Sequence, residues 1–320
     1  MSSAVRVRAS PSLALIKYWG KRDERRNLPA TPSLGLTLAG VYTETRVEPA
    51  EEDRVILDGR EQDRERFAGF FDAVRRRLRT RMRFQAESRN SFPTAAGLAS
   101  SSSGFAALAV GCARAAGCAL DARELSVLAR IGSASAARAV YGGFTLLAAG
   151  ARAARQLHSE DYWPKLRVLA AVVSTEAKLL ASREAMRTTR SASPFYRAWL
   201  ADSRHLLARA LQALERRDIE ELGHAVRLSY SRMHAALLAS EPPALYWLAA
   251  TVSVNRECAS LRARGIGAWE TIDAGPQVKI LCLQEDAPAV RRSLMEMMPD
   301  LSMIECRPGP GPQLIEGGKG

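Results

Sequence analysis

Pro93-Thr-Ala-Ala-Gly-Leu-Ala-Ser-Ser-Ser-Ser-Gly104 is built almost entirely of small residues and runs straight into the Ala-rich stretch 105–116. Small residues let backbone N–H groups approach an anion closely, and a helix starting there adds a favourable dipole. Ser100 to Ser103 offer hydroxyls to phosphate oxygens or to a metal. No Gly-Lys-Ser/Thr follows, so the segment is not a Walker A loop. On pattern alone, a Ser/Gly-rich turn is equally an ordinary helix start.

Upstream of this loop the chain reads as strands and turns. Residues 5–8 alternate, and Gly35-Leu-Thr-Leu followed by Val41-Tyr-Thr-Glu-Thr-Arg-Val predicts a hairpin. Residues 55–59 read as a strand ending in a turn. The segment 63–80 has helical periodicity, with Phe67, Phe70, Phe71, Val74 and Leu78 on one side, and 82–88 reads as a strand. Downstream, Asp121 is the expected N-cap of a helix over 121–130, and 166–173 is an expected buried strand. The segments 182–189, 194–216, 219–238 and 244–263 read as helices, with Pro194 at the start of its helix. Strands are expected at 268–273 and 278–283, then a helix at 287–297. The shift from strands and loop to a helix-rich half puts the expected domain boundary near 175, dividing the chain into 1–175 and 176–320.

Composition narrows the function classes. A chain of 320 residues with 47% hydrophobic content can fill sizeable cores. The most apolar stretch, 105–120, is Ala-rich and interrupted by Arg114, so no bilayer span is expected. The first residues lack the apolar core of a signal peptide, which points to the cytoplasm. Five widely spaced Cys without a C-x-x-C read as buried free thiols, and four scattered His form no metal-ligand pattern. The net charge of +12 comes from 40 Arg and only 6 Lys against 34 acidic residues. Much of the Arg lies on amphipathic helical stretches such as 75–79. No nucleic-acid module accompanies it, so an Arg-rich nucleic-acid binder or a pseudoenzyme on this scaffold is the remaining reading from another class.

Three further segments carry chemistry. Lys17 and Lys21 are two of the six Lys and lie four residues apart. In a chain that writes its cations as Arg, a compact ammonium there suits a phosphate or a reacting oxygen. Gly132-Ser-Ala-Ser-Ala-Ala-Arg138 puts Ser133 and Ser135 on one side if extended, and Arg138 has the fork to clamp a carboxylate or phosphate. Asp273, between a strand and a Gly-Pro turn, is placed to act as a general base, or to make an ordinary Asx turn.

Taken together, these segments resemble a known family. Ala14-Leu-Ile-Lys-Tyr-Trp-Gly-Lys-Arg-Asp-Glu24 is similar to the opening of the diphosphomevalonate decarboxylases, and Phe92-Pro-Thr-Ala-Ala-Gly-Leu-Ala-Ser-Ser101 resembles their ATP-phosphate loop. The segment 132–143, Asp273-Ala-Gly-Pro276 and Gly309-Pro-Gly-Pro-Gln313 follow in the family's order. The family belongs to the GHMP kinases. The resemblance implies an α+β GHMP-kinase fold of two lobes with the active site in the cleft between them, and by resemblance alone a homodimer. It implies ATP and Mg2+ as cofactors, the ion held mainly through the ATP phosphates. Mevalonate 5-diphosphate would be decarboxylated to isopentenyl diphosphate in the mevalonate pathway of isoprenoid biosynthesis. Asp273 matches the residue that helps activate the C3 hydroxyl, Arg138 the one that holds the substrate carboxylate, and Lys17 a lysine near the reacting phosphoryl group. Tyr18, Lys21, Ser133, Ser135 and Ser193 match substrate-binding positions, and Gly97, Leu98, Ala99, Ser100, Ser101 and Ser102 the ATP loop. Ser12, Thr31-Pro32 and Ala134 depart from the family's usual residues near the substrate. They keep open a decarboxylase of mevalonate 5-phosphate, beside a small-molecule kinase that does not decarboxylate.

Overall fold

A computed structural model describes residues 4–93, 97–176 and 180–315. The chain opens with β1 (Val5–Ala9), β2 (Ser12–Ala14), and the short ribbon of β3 (Lys21–Asp23) and β4 (Leu28–Pro29). β5 (Ser33–Ala39), β6 (Thr43–Ala50), β7 (Arg54–Leu57) and β8 (Arg60–Glu61) follow. Next come α1 (Arg64–Leu78), β9 (Arg83–Asn90), α2 (Ser100–Ala115), α3 (Ala122–Gly132) and the single turn α4 (Ala136–Ala139). β10 (Phe144–Leu147), β11 (Arg155–His158) and β12 (Leu166–Val172) lead to a helical run. That run is α5 (Ser182–Ala192), α6 (Tyr196–Arg216), α7 (Ile219–Leu238) and α8 (Ala249–Ala263). β13 (Trp269–Ile272), β14 (Val278–Leu283), α9 (Ala287–Met297), β15 (Ser302–Pro308) and β16 (Gln313–Ile315) complete the described chain.

The strands build two large sheets. The first has the order β16-β1-β6-β9-β7-β8, and the second β11-β10-β5-β15-β12-β14-β13 with β2 also on β5. Helices α1 and α2 cover the first sheet, burying Phe67, Phe70, Phe71, Val74 and Phe105 against Val7, Val47 and Phe84, and α3 and α4 pack against these helices. Period-2 alternation lets β12 serve two cores. Leu166, Val168 and Ala170 face α6 and α7, whereas Leu169 and Ala171 face α8 and α9. Burial on both faces is why 168–172, beyond Arg167 at the strand's start, reads as an unbroken apolar run.

The expected helix faces and the Asp121 cap are present, the latter as a reciprocal capping box with Glu124. The expected hairpin is not. β5 and β6 are both strands but lie in different sheets: β5 pairs with β2, β10 and β15, and β6 with β1 and β9. A turn through Gly40, at φ +94, carries the chain from one sheet to the other. The loop expected to last until Gly104 gives way to helix at Ser100. Pro194 stands ahead of the N-cap Phe195, and the helix expected from 244 begins at Ala249. Of the small-residue loop, Thr94, Ala95 and Ala96 lie outside the described residues.

Candidate active site

The segment after β2 brings Lys17 under the end of β13. The backbone N–H of Lys17 donates to Ser229 Oγ of α7 at 2.8 Å, so the helical half of the chain holds this N-terminal turn in place. Lys17 is buried. Its ammonium donates to Ala14 O at 3.0 Å and to Asp273 Oδ1 at 2.6 Å. Burial pulls its pKa down to about 8, against the opposing pull of Asp273. The other carboxylate oxygen, Oδ2, lies 3.3 Å from Nζ of Lys279 on β14, which pairs in register with Thr271. Burial alone would raise the Asp273 carboxyl, but the two ammonium groups outweigh it and hold it well below the usual carboxylate range. The Asp273 side chain keeps 32% of its surface open, so a ligand can reach it. His234 Nε2 lies 3.2 Å from Asp273 O and donates to that carbonyl when it carries the proton. Burial, with Lys17 nearby, lowers the His234 pKa to about 4, so the ring is neutral at pH 7.

Arg138 sits in α4 with its guanidinium fully buried. Nε donates to Ser12 Oγ at 3.3 Å and Nη1 to Ser33 Oγ at 2.6 Å. A Cβ on Gly35 would collide with Nε and come within 2.7 Å of both Arg138 Cδ and Ser12 Oγ, so a bare backbone is required there. Burial lowers the Arg138 pKa to about 10, with Asp273 and Tyr18 opposing. No described carboxylate forms an ion pair with it. A buried cation held only by hydroxyls is costly unless an anion completes it. That is the environment a substrate carboxylate would satisfy.

On the nucleotide side, Gly97 (φ +65) and Ala99 (φ 55) form a tight turn around buried Leu98, and no side chain caps the start of α2. Ser102 N–H donates back to Ala99 O at 2.7 Å, and the other N–H groups of that first turn suit a phosphate. Ser102 is fully buried, accepting from Ser12 N at 3.0 Å and donating to Ala99 O at 2.7 Å, so it braces the loop. Ser101 is exposed, with Oγ 3.4 Å from Ser133 Oγ, which lies 3.0 Å from Ser135 Oγ. The three hydroxyls therefore line up between the loop and α4. Among the described residues no three His, Cys, Asp or Glu side chains converge to hold a metal. Mg2+ usually keeps several waters and binds through phosphates, and serine hydroxyls beside an uncapped helix start fit that mode.

The opposite end is cationic. Tyr18 Oη and Ser193 Oγ are buried without a partner, an expensive state that a ligand would relieve. Burial lowers the Lys21 pKa, and the nearby guanidiniums of Arg183 and Arg187 on α5 add to this, with Glu24 opposing. Arg190, one turn further, donates to Lys21 O at 3.3 Å. The spacing 183, 187, 190 puts these arginines on one helix face.

The structure thus brings together Lys17, Asp273 and Arg138, and sets Ser101, Ser133 and Ser135 in a row. Sequence reasoning missed Lys279, Ser33, His234 and the arginine face of α5. The i, i+4, i+7 spacing was a usable signal for that face; His234 had none. A separate cavity of about 430 Å³ beside α1 and β7 is lined by charges that pair with one another, such as Arg75 with Asp53 and Arg64 with Glu52.

Known proteins share this arrangement over nearly the whole chain. The diphosphomevalonate decarboxylase-like N-terminal domain matches residues 9–159, and the mevalonate 5-diphosphate decarboxylase C-terminal domain matches residues 168–311. Human diphosphomevalonate decarboxylase is 35% identical over 314 residues, covering 88% of this chain and 78% of the human protein. The chain belongs to the diphosphomevalonate decarboxylase family. The crystal structure of the Staphylococcus aureus mevalonate diphosphate decarboxylase superposes with a TM-score of 0.93 at 35% identity, covering 99% of each chain. A structure described as "MDDEF in complex with MVAPP, AMPPCP and Magnesium" gives 0.92 at 35% identity, covering 98% of this chain and 99% of the other. In this member of the family, two of the departing residues, Ser12 and Thr31, act behind the site. Ser12 supports Arg138, and Thr31 Oγ1 accepts from Trp19 N at 3.0 Å.

Proposed function

We propose that this chain catalyses the ATP-dependent decarboxylation of mevalonate 5-diphosphate to isopentenyl diphosphate, releasing ADP, phosphate and CO2. The observation that carries this reading is a lysine-clamped carboxylate, Asp273, beside a buried guanidinium, Arg138, that has no carboxylate of its own. The relative described with MVAPP, AMPPCP and magnesium supports the choice of substrate and cofactors.

The tertiary C3 hydroxyl attacks the γ-phosphorus of ATP. The bond to ADP breaks and the new P–O bond makes the C3 oxygen a good leaving group. Asp273 orients the hydroxyl and takes up its proton as the new bond forms. A carboxylate clamped by two ammonium groups is a weak base, so its larger effect is to balance positive charge at C3 as phosphate departs. Arg138 holds the substrate carboxylate in line. The C–C bond to that carboxylate then breaks, and its electron pair becomes the alkene. Lys17 neutralises charge on the transferring phosphoryl group. The start of α2 with Ser100 and Ser101 holds the ATP phosphates, and Mg2+ bound to those phosphates supplies further charge neutralisation there. Tyr18, Lys21 and Ser193 hold the diphosphate end, and Ser133 and Ser135 bind the substrate from the side that faces Ser101.

The same reading includes a division near residue 175 into an ATP-binding lobe and a helix-rich lobe, a cytoplasmic enzyme and a homodimer. No described helix is long and apolar enough to cross a membrane. The purified chain with ATP, Mg2+ and mevalonate 5-diphosphate should release ADP, phosphate and CO2 in equal amounts. ADP without CO2 would make it a kinase. Turnover confined to mevalonate 5-phosphate would move it to the monophosphate.

A further inference from the structure

We infer that Lys279 is a second phosphate-side lysine of this active site, meeting the phosphoryl group of ATP while it steadies Asp273. Lys279 lies opposite Thr271 in the β13–β14 pair, on the face that two residues later delivers Asp273. Its buried ammonium is 3.3 Å from Asp273 Oδ2 and 3.4 Å from Gln277 O. Two acceptors leave one of its three N–H groups to assign. The phosphate loop passes directly against it, since a Cβ built on Gly97 would lie 3.2 Å from Nζ. The same Cβ would collide first with Gln277, at 2.6 Å from Cγ and 2.9 Å from Cβ, so the bare backbone of Gly97 lets the loop pass over this end of β14, with the lysine beside it.

Charge balance points the same way. Lys17 alone neutralises Asp273, in a short contact to Oδ1. A second ammonium on Oδ2 leaves the cluster of Lys17, Lys279, Arg138 and Asp273 with two uncompensated positive charges, all on largely buried cations. Such a surplus is unfavourable unless an anion enters. Arg138 accounts for one charge through the substrate carboxylate. The position of Lys279 under Gly97 assigns the other to the terminal phosphate of ATP. A compact ammonium on a flexible stem can follow that group from ADP to the C3 oxygen, making no covalent bond, and a planar guanidinium cannot.

This inference rests on the proposed function, and a comparison of nucleotides separates the two. The experiment measures affinities of the full-length protein for ADP and for AMPPCP, with Mg2+, in wild type and Lys279→Met, beside turnover of mevalonate 5-diphosphate. Loss of a charged hydrogen bond to the terminal phosphate should weaken AMPPCP about 10-fold and leave ADP within about 3-fold. Turnover should fall by about 10²-fold or more with little change in substrate KM, and Lys279→Arg should recover part of the nucleotide discrimination. Equal weakening of both nucleotides, or an unchanged AMPPCP affinity, would mean that Lys279 only fills space beside Asp273. If Lys279→Met does not fold, Lys279→Gln answers the same nucleotide comparison. A wild-type protein that releases no CO2 would overturn the proposed function and still leave the comparison of ADP with AMPPCP to decide the lysine's place.

Discussion

Lys17 and Arg138 are both buried cations, yet only Lys17 has a carboxylate of its own, and its ionisation is the more exposed to pH. With a pKa drawn down to about 8 by burial, the ammonium is present below that value and lost as pH rises through it. If the charged form serves phosphoryl transfer, kcat/KM measured with mevalonate 5-diphosphate limiting should be level near neutrality and decline as pH passes about 8. A profile that stays level into the ordinary lysine range, to about 10, would remove Lys17 from that role. The importance of Lys17 was legible because lysine is rare here, and Asp273 because a carboxylate between a strand and a Gly-Pro turn is well placed to face a ligand. The same scarcity marks Lys279, but nothing in its strand indicates that Gly97, far away in sequence, rests against it. Neighbours of that kind are set by sheet register, which one sequence does not reveal. The departures at Ser12 and Thr31 were legible as differences, while their action through Arg138 and the Trp19 backbone was not.

At the level of elements, the proposed function gives α5 the task of setting how many phosphates the substrate end can hold. Arg183, Arg187 and Arg190 share one face beside Lys21, and Tyr18 Oη and Ser193 Oγ lack partners there. A second phosphate adds charge where this helix is richest in cations. Arg187→Gln should therefore lower kcat/KM for mevalonate 5-diphosphate by about 10-fold, as expected for one charged hydrogen bond, and affect the 5-phosphate less. Steady-state kinetics on both substrates check this, and equal losses on the two would show that α5 does not sense the second phosphate. Periodicity disclosed the helices well, since burial of one face is a local pattern. It misjudged the hairpin because β5 and β6 each have the alternation of a half-buried strand, and alternation does not say which partner a strand takes. Here β5 already lies between β2 and β10, with Leu36 paired to both Leu13 and Phe144, and β15 takes its end at Leu38 and Ala39.

On the scale of the whole molecule, the two sheets are stitched together at their ends. β16 returns from the C-terminus to pair with β1, and Ser229 of α7 holds the backbone of Lys17. The site therefore takes its residues from both halves: Lys17, Arg138 and the start of α2 from one, Asp273 and Lys279 from the other. Such a division suits a reaction that must align two anionic ligands before any bond changes. The central claim is that chemistry occurs on Asp273, while ATP is held separately by the turn at 97–102. Asp273→Asn tests it most directly, since the change keeps size and shape and removes the charge. The account predicts release of ADP, phosphate and CO2 slowed by at least about 10²-fold, with AMPPCP affinity close to wild type. Near-normal CO2 release from a well-folded Asp273→Asn protein that still binds AMPPCP would contradict it.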